Sequence, residues 1–125
     1  MARILVIDDD ADMRALLEQT LKSSGHEVAL AADGREGVRE YQAKAADLVI
    51  TDLYMPNQEG LETIIELRRR FPEVSIIAMS GRIAAGTMLS IAQKLGAVDV
   101  LQKPFVAEEI LAAVGKALRT GAGRN

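Results

Sequence analysis

The chain has 125 residues, 49% hydrophobic, 26% charged and 3% aromatic, with a formal net charge of −3. That length suits one domain with a real core, and an acidic balance with few rings argues against a nucleic-acid binder. With no cysteine and His26 as the one histidine, disulfides, thiolate catalysis and Cys- or His-cluster metal sites are excluded.

No apolar run approaches the roughly 18 residues of a membrane span, and the start of the chain does not read as a signal peptide. A cytoplasmic protein without membrane contact is therefore expected.

Arg3 to Ile7 reads as strand one, an apolar run ending in Asp8-Asp9-Asp10. Asp10 or Asp12 can cap the helix that follows. Its Met13, Leu16, Leu17, Thr20 and Leu21 are spaced for one apolar face, and Gly25 closes it. Glu27 to Ala31 is a short second strand. Asp33-Gly34 starts helix two, Arg35 to about Ala43, with only Val38, Tyr41 and small residues to bury.

Leu48 to Thr51 is strand three; it runs into Asp52, and the chain turns at Pro56. Helix three spans about Gly60 to Phe71, with Leu61, Ile64, Ile65, Leu67 and Phe71 inward or flanking, until Pro72 stops it. Val74 to Met79 is strand four, followed by Ser80 and a small-residue loop from Gly81 to Gly86. Helix four carries Met88, Ile91, Ala92 and Leu95 at helical spacing, an expected core stripe, and ends at Gly96.

Val98 to Leu101 is strand five, with Lys103-Pro104 beyond it. Helix five spans about Val106 to Arg119 on Ile110, Val114, Ala117 and Leu118. Residues 1–119 form the expected domain, and Thr120 to Asn125 a short flexible tail. His26 reads as an exposed turn residue, and Arg68-Arg69-Arg70 as a solvated helix end favoured by the dipole.

Strands alternating with helices, each strand a continuous apolar run, predict an α/β fold: a doubly wound, five-stranded parallel sheet covered on both faces. In such sheets ligands bind beyond the carboxyl ends of the strands. Four of these ends carry polar groups: Asp8 to Asp10, Asp52, Ser80 and Lys103.

Where a nucleotide-binding fold would place a glycine-rich phosphate cradle, this chain places three aspartates. They repel an anion and attract a hard cation such as Mg2+, which takes carboxylate, water and phosphate oxygens. Asp8, Asp9 and Asp52 are the candidate ligands. A divalent ion there also makes Asp52 usable as a nucleophile toward phosphorus, because it offsets the repulsion of charge by charge. Lys103 can pair with phosphoryl oxygens and Ser80 can donate to another.

Ile4-Leu5-Val6-Ile7-Asp8-Asp9-Asp10, Asp52-Leu53-Tyr54-Met55-Pro56 with Gly60 behind it, Met79-Ser80-Gly81 and Lys103-Pro104-Phe105 together resemble the receiver domains of two-component response regulators, from Arg3 to about Arg119. The resemblance implies a CheY-like, flavodoxin-like (βα)5 fold with strand order 2-1-3-4-5 and a cis Lys103-Pro104 bond. It implies Asp52 as phospho-acceptor, Asp8 and Asp9 as the acidic Mg2+ pair, the Tyr54 backbone carbonyl as a further metal ligand, Ser80 as switch hydroxyl and Lys103 as phosphoryl-binding lysine.

The implied protein is not an enzyme beyond its own phosphorylation and dephosphorylation. It receives its phosphoryl group from a sensor histidine kinase or phosphotransfer protein, and signals to a downstream protein through the helix 4–strand 5–helix 5 face. Three positions depart from the family pattern: Val100 replaces the usual aromatic, Gly81 the usual alanine and Asn57 a common glycine. With no swinging ring at Val100, the expected bistable element is the loop from Gly81 to Gly86 with the first turn of helix four.

A stand-alone receiver is expected, with a receiver fragment of a longer regulator as one alternative. The other is a small aspartate-nucleophile phosphohydrolase of the haloacid-dehalogenase type, with Asp8 as nucleophile and Asp10 as general acid. Against the hydrolase, Ala11 stands where its motif has glycine, and Asp99 stands alone late in the chain.

Overall fold

The architecture follows from where the apolar runs fall and how each is punctuated. The computed structural model describes residues 2–53, 60–81 and 85–122. Five strands and five helices alternate: β1 (Arg3–Ile7), α1 (Ala11–Ser23), β2 (Glu27–Ala31), α2 (Gly34–Ala43), β3 (Leu48–Asp52), α3 (Gly60–Arg70), β4 (Ile76–Ser80), α4 (Ala85–Lys94), β5 (Asp99–Gln102) and α5 (Ala107–Ala122). The sheet is parallel throughout, in the order β2-β1-β3-β4-β5.

Aspartates start the first two helices. The Asp10 carboxylate accepts from the amides of Asp12 and Met13 at 2.9 and 3.3 Å. Asp33 accepts from Glu36 N at 2.9 Å, while the Glu36 side chain takes the Ala32 amide at 3.0 Å. These bonds satisfy amides that a helix start leaves without intrahelical partners.

Strand side chains alternate between faces, which divides the core in two. Leu5, Ile7, Val49, Ile76 and Ala78 meet Val38 and Tyr41 of α2, Ile64 and Leu67 of α3 and Ala92 of α4. Ile4, Val6, Leu48, Ile50, Ile77 and Met79 meet Leu17 and Leu21 of α1 and Ile110, Val114 and Ala117 of α5. Among the described residues no helix is long and apolar enough to cross a membrane.

Several local expectations are corrected. Leu16 is 48% exposed and Ile65 49%. The α1 seam runs Met13, Leu17, Leu21, so Leu16 is turned about 100° away from the buried position next to it. On α4, Ile91 is 40% exposed and Ala92 is the fully buried residue; Leu95 is half-buried, and the Met88 side chain lies outside the described set. Of the expected stripe, Ala92 and Leu95 pack against the core and Ile91 does not.

Helix α4 starts at Ala85, inside the expected loop, and α5 continues to Ala122, past the expected end at Arg119. Residues 82–84, including Arg82, and 123–125 lie outside the described residues. His26 is half-buried and accepts the Ala2 amide on Nδ1 at 3.2 Å. Arg68 is likewise half-buried, donating to the Val74 carbonyl at 2.7 Å, while Arg69 is exposed and Arg70 pairs with Glu66 at 3.2 Å.

Candidate functional site

Strand parity decides which polar groups meet. Asp8 follows β1 in the alternation of Ile4 and Val6, and Asp52 follows β3 in that of Leu48 and Ile50. Lys103 continues β5 two residues after Leu101, which packs with the same core layer. All three therefore belong to the α1/α5 face of the sheet. Ser80 keeps the alternation of Ile76 and Ala78 and belongs to the α2–α4 face.

The carboxylates converge: one oxygen each from Asp8, Asp9 and Asp52 lie within 4.8 Å of one another. Asp8 is fully buried, Asp52 is 6% exposed and Asp9 is exposed. Lys103 Nζ donates to Asp8 Oδ2 at 3.0 Å and lies 3.5 Å from Asp52 Oδ2. The other Asp8 oxygen accepts the Asp10 amide at 2.9 Å.

Burial alone would lower the Lys103 ammonium's pKa. Its hydrogen bond to Asp8 and the charges of Asp52 and Asp8 outweigh that and hold it above the ordinary 10.5. In formal charge, three carboxylates against one ammonium leave −2 in the cluster. A divalent cation cancels that excess, and an all-carboxylate donor set is what a hard cation takes. The residues present therefore fit a divalent ion.

Backbone bonds hold the four strand ends in place. The Asp8 amide donates to Ala31 O at 3.1 Å, Leu53 N to Met79 O at 3.0 Å and Lys103 N to Ser80 O at 2.8 Å. Ser80 thus joins the site through its carbonyl, and its side chain is fully buried. The start of α3 rests on the Asp52-Leu53 backbone, with Gly60 N donating to Leu53 O at 3.1 Å. A Cβ on Gly60 would overlap the Asp52 carbonyl oxygen and Leu53 Cα, so this approach requires glycine. The Lys103-Pro104 bond is cis. Tyr54 and Asn57 lie outside the described residues.

The family pattern described as response regulator receiver domain matches residues 4–115. This chain belongs to that family. The receiver is 38% identical over 117 residues to transcriptional regulatory protein PrrA of Mycobacterium tuberculosis, an alignment covering 94% of this chain and 50% of PrrA. It is 34% identical over 120 residues to chemotaxis protein CheY of Listeria monocytogenes, covering 95% of this chain and 100% of that one. The solved response regulator TrrA of Thermotoga maritima, in complex with Mg(2+)-BeF, superposes with a TM-score of 0.86 at 31% identity, covering 94% of this chain and 100% of TrrA. The receiver spans about half the length of the first curated relatives it matches.

One contact was not anticipated from the sequence. Arg14, on α1, donates from a guanidinium nitrogen to the Asp8 backbone carbonyl at 2.7 Å. The residue pattern carried no signal for it, since a position beside inward-facing Met13 is turned about 100° from it, as Leu16 is from Leu17.

Proposed function

We propose that this receiver is a phosphorylation-dependent signalling switch whose acceptor is Asp52. The observation that carries the reading is the convergence of Asp8, Asp9 and Asp52 on one point with Lys103 bridging two of them. An Asp52 carboxylate oxygen forms a bond to phosphorus as the bond from phosphorus to the donor's imidazole nitrogen breaks, and that electron pair leaves with the donor. The donor is a sensor histidine kinase or a phosphotransfer protein.

Asp8, Asp9 and Asp52, with the Tyr54 backbone carbonyl, would hold Mg2+, which supplies the positive charge that lets two anions approach. The Mg(2+)-BeF complex of TrrA supports magnesium as the ion. Lys103 is already held at the site by Asp8, so its ammonium can follow the incoming oxygens without leaving its carboxylate partner. Ser80 is the switch hydroxyl. Its parity places it on the α2–α4 face, so its rotation toward the phosphoryl group carries the change across the sheet toward α4.

Output passes by protein contact through α4, β5 and α5, where Ile91 on α4, Val98 just before β5 and Val106 just before α5 are exposed. Incubation with magnesium and acetyl phosphate, followed by mapping of the adduct, should put the label on Asp52, and Asp52→Asn should abolish it. Label on Asp8 that survives Asp52→Asn overturns the reading in favour of an aspartate-nucleophile phosphohydrolase.

A further inference from the structure

We propose that Arg14 is a positioning residue for the metal site: its guanidinium fixes the peptide plane from which Asp9 projects. The inference rests on the acidic site described above and concerns how that site keeps its shape.

Arg14 sits on α1 with Asp10 four residues before it and Glu18 four residues after it, the spacing at which helical ion pairs form. It uses neither. Asp10 caps the helix, and Glu18 pairs with Lys22 at 3.0 Å. Among the described residues Arg14 makes no ion pair, although it stands in the most acidic stretch of the chain. It reaches back to the Asp8 carbonyl instead, at 2.7 Å.

That carbonyl belongs to the first residue beyond β1, where ladder pairing stops. A buried carbonyl needs a donor, and Asp8 is fully buried. The carbonyl of Asp8 and the amide of Asp9 lie in one rigid plane, so holding the oxygen fixes the plane before the Asp9 Cα, while the Asp10 amide, bonded to Asp8 Oδ1, ties down the plane after it; together they set the direction in which the Asp9 side chain leaves the backbone. Asp8 has independent support: its two carboxylate oxygens are held by Asp10 N and Lys103 Nζ. Asp9 is exposed, and among the described residues its carboxylate has no hydrogen-bond partner. Its aim depends on its backbone, and Arg14 holds that backbone.

Charge and positioning make opposite predictions for the same substitution. Arg14 puts a positive charge next to the cation site, so on charge alone Arg14→Gln tightens magnesium binding. If Arg14 positions Asp9, the same change weakens it, because a lost outer partner typically costs roughly 10–100-fold in metal affinity.

The experiment is a titration of the whole chain with magnesium alone, followed by thermal unfolding, which reads affinity by mass action without any phosphodonor. The expected result is a magnesium midpoint raised about tenfold in Arg14→Gln. Glu18→Ala, which removes the Lys22 pair from the same helix, should lower the melting temperature and leave the midpoint where it was. An unchanged or lower midpoint in Arg14→Gln overturns the proposal, as does an equal rise in Glu18→Ala. Should Arg14→Gln fail to fold, Arg14→Met is read in its place: it keeps an apolar stem but has no donor, and a midpoint equal to the parent's overturns the proposal. A parent chain with no magnesium response overturns the acidic site itself and this inference with it.

Discussion

At the amino end of the sheet, Glu27 is shared by Arg3 at 2.7 Å and Lys44 at 3.3 Å, and the Arg3 amide donates to Asp47 at 2.8 Å. At the carboxyl end, three carboxylates converge and two of them, Asp8 and Asp52, share Lys103. Both ends cluster charge, but they balance it differently. The first sets two cations, Arg3 and Lys44, against two exposed carboxylates, Glu27 and Asp47, where solvent screens the attraction and the pairs contribute little. The second has anions in excess and largely out of water, where each missing counter-charge is felt. A folded chain has no stability reason to keep such an excess. The imbalance falls at the end whose residues fit a divalent ion.

Removing Lys103 should give the largest effect. Lys103→Met leaves buried Asp8 with only the Asp10 amide and should cost about 2–4 kcal/mol in chemical denaturation at neutral pH. Magnesium should recover part of the loss, which a merely packing-related cost would not allow. Because the folded-state ammonium is held above 10.5, its contribution is fully present below that pH and is lost as pH rises through the folded value. The gap between parent and Lys103→Met should therefore be flat from neutral to about pH 10 and close in stronger alkali. A gap that widens with alkali refutes the pairing.

Gly60→Ala comes next. The added methyl meets the Asp52 and Leu53 backbone, so about 1–3 kcal/mol should be lost. Displacing Asp52 should also slow labelling by acetyl phosphate more than the stability loss alone explains. A variant that is destabilised yet labelled at the parental rate would separate Gly60 from the site.

Magnesium at about ten times its dissociation constant should stabilise the parent by about 1.4 kcal/mol, and Asp9→Ala should shrink that gain. Unaltered unfolding curves across millimolar magnesium would remove the contrast between the two ends. The smallest effect belongs to Glu27→Gln, with a melting shift of at most about 2 °C. The lowered pKa of Glu27 comes from the Lys44 hydrogen bond first and then that of Arg3. What stability these pairs give is present above the ordinary 4.5 and lost as pH falls through the folded value. A larger shift than this for Glu27→Gln would mean the amino end is not the inert partner in the comparison.

The strands were legible because buried parallel strands are written as unbroken apolar runs, and the strand ends because Asp8, Asp52, Ser80 and Lys103 interrupt those runs. Helix faces were read less well. Leu16, Ile65 and Ile91 are apolar and near the right spacing, yet each sits beside a residue that takes the inward place, and composition alone does not choose between neighbours. Ala92 was named as part of a stripe, but that it would be fully buried while Ile91 stays exposed depends on how closely α4 approaches the sheet. Arg14 was missed because a guanidinium bonded to a backbone carbonyl leaves no charge pattern in the sequence. Asp8 was assigned to the metal and Lys103 to phosphoryl oxygens; that the two bond to each other came only with the register of four strands.

The hydrogen bond from Lys103 to Asp8 spans 95 positions along the chain. Asp8 follows a central strand laid down early in synthesis, and Lys103 follows the edge strand laid down last, with β3 and β4 between them. No shorter stretch of the polypeptide contains both partners, and long-range contacts of this kind form late because their loops cost the most to close. During biosynthesis, then, a partly made chain displays its aspartates without their lysine. The complete ion cluster exists only once the last strand has docked, so the site itself certifies that the sheet is finished.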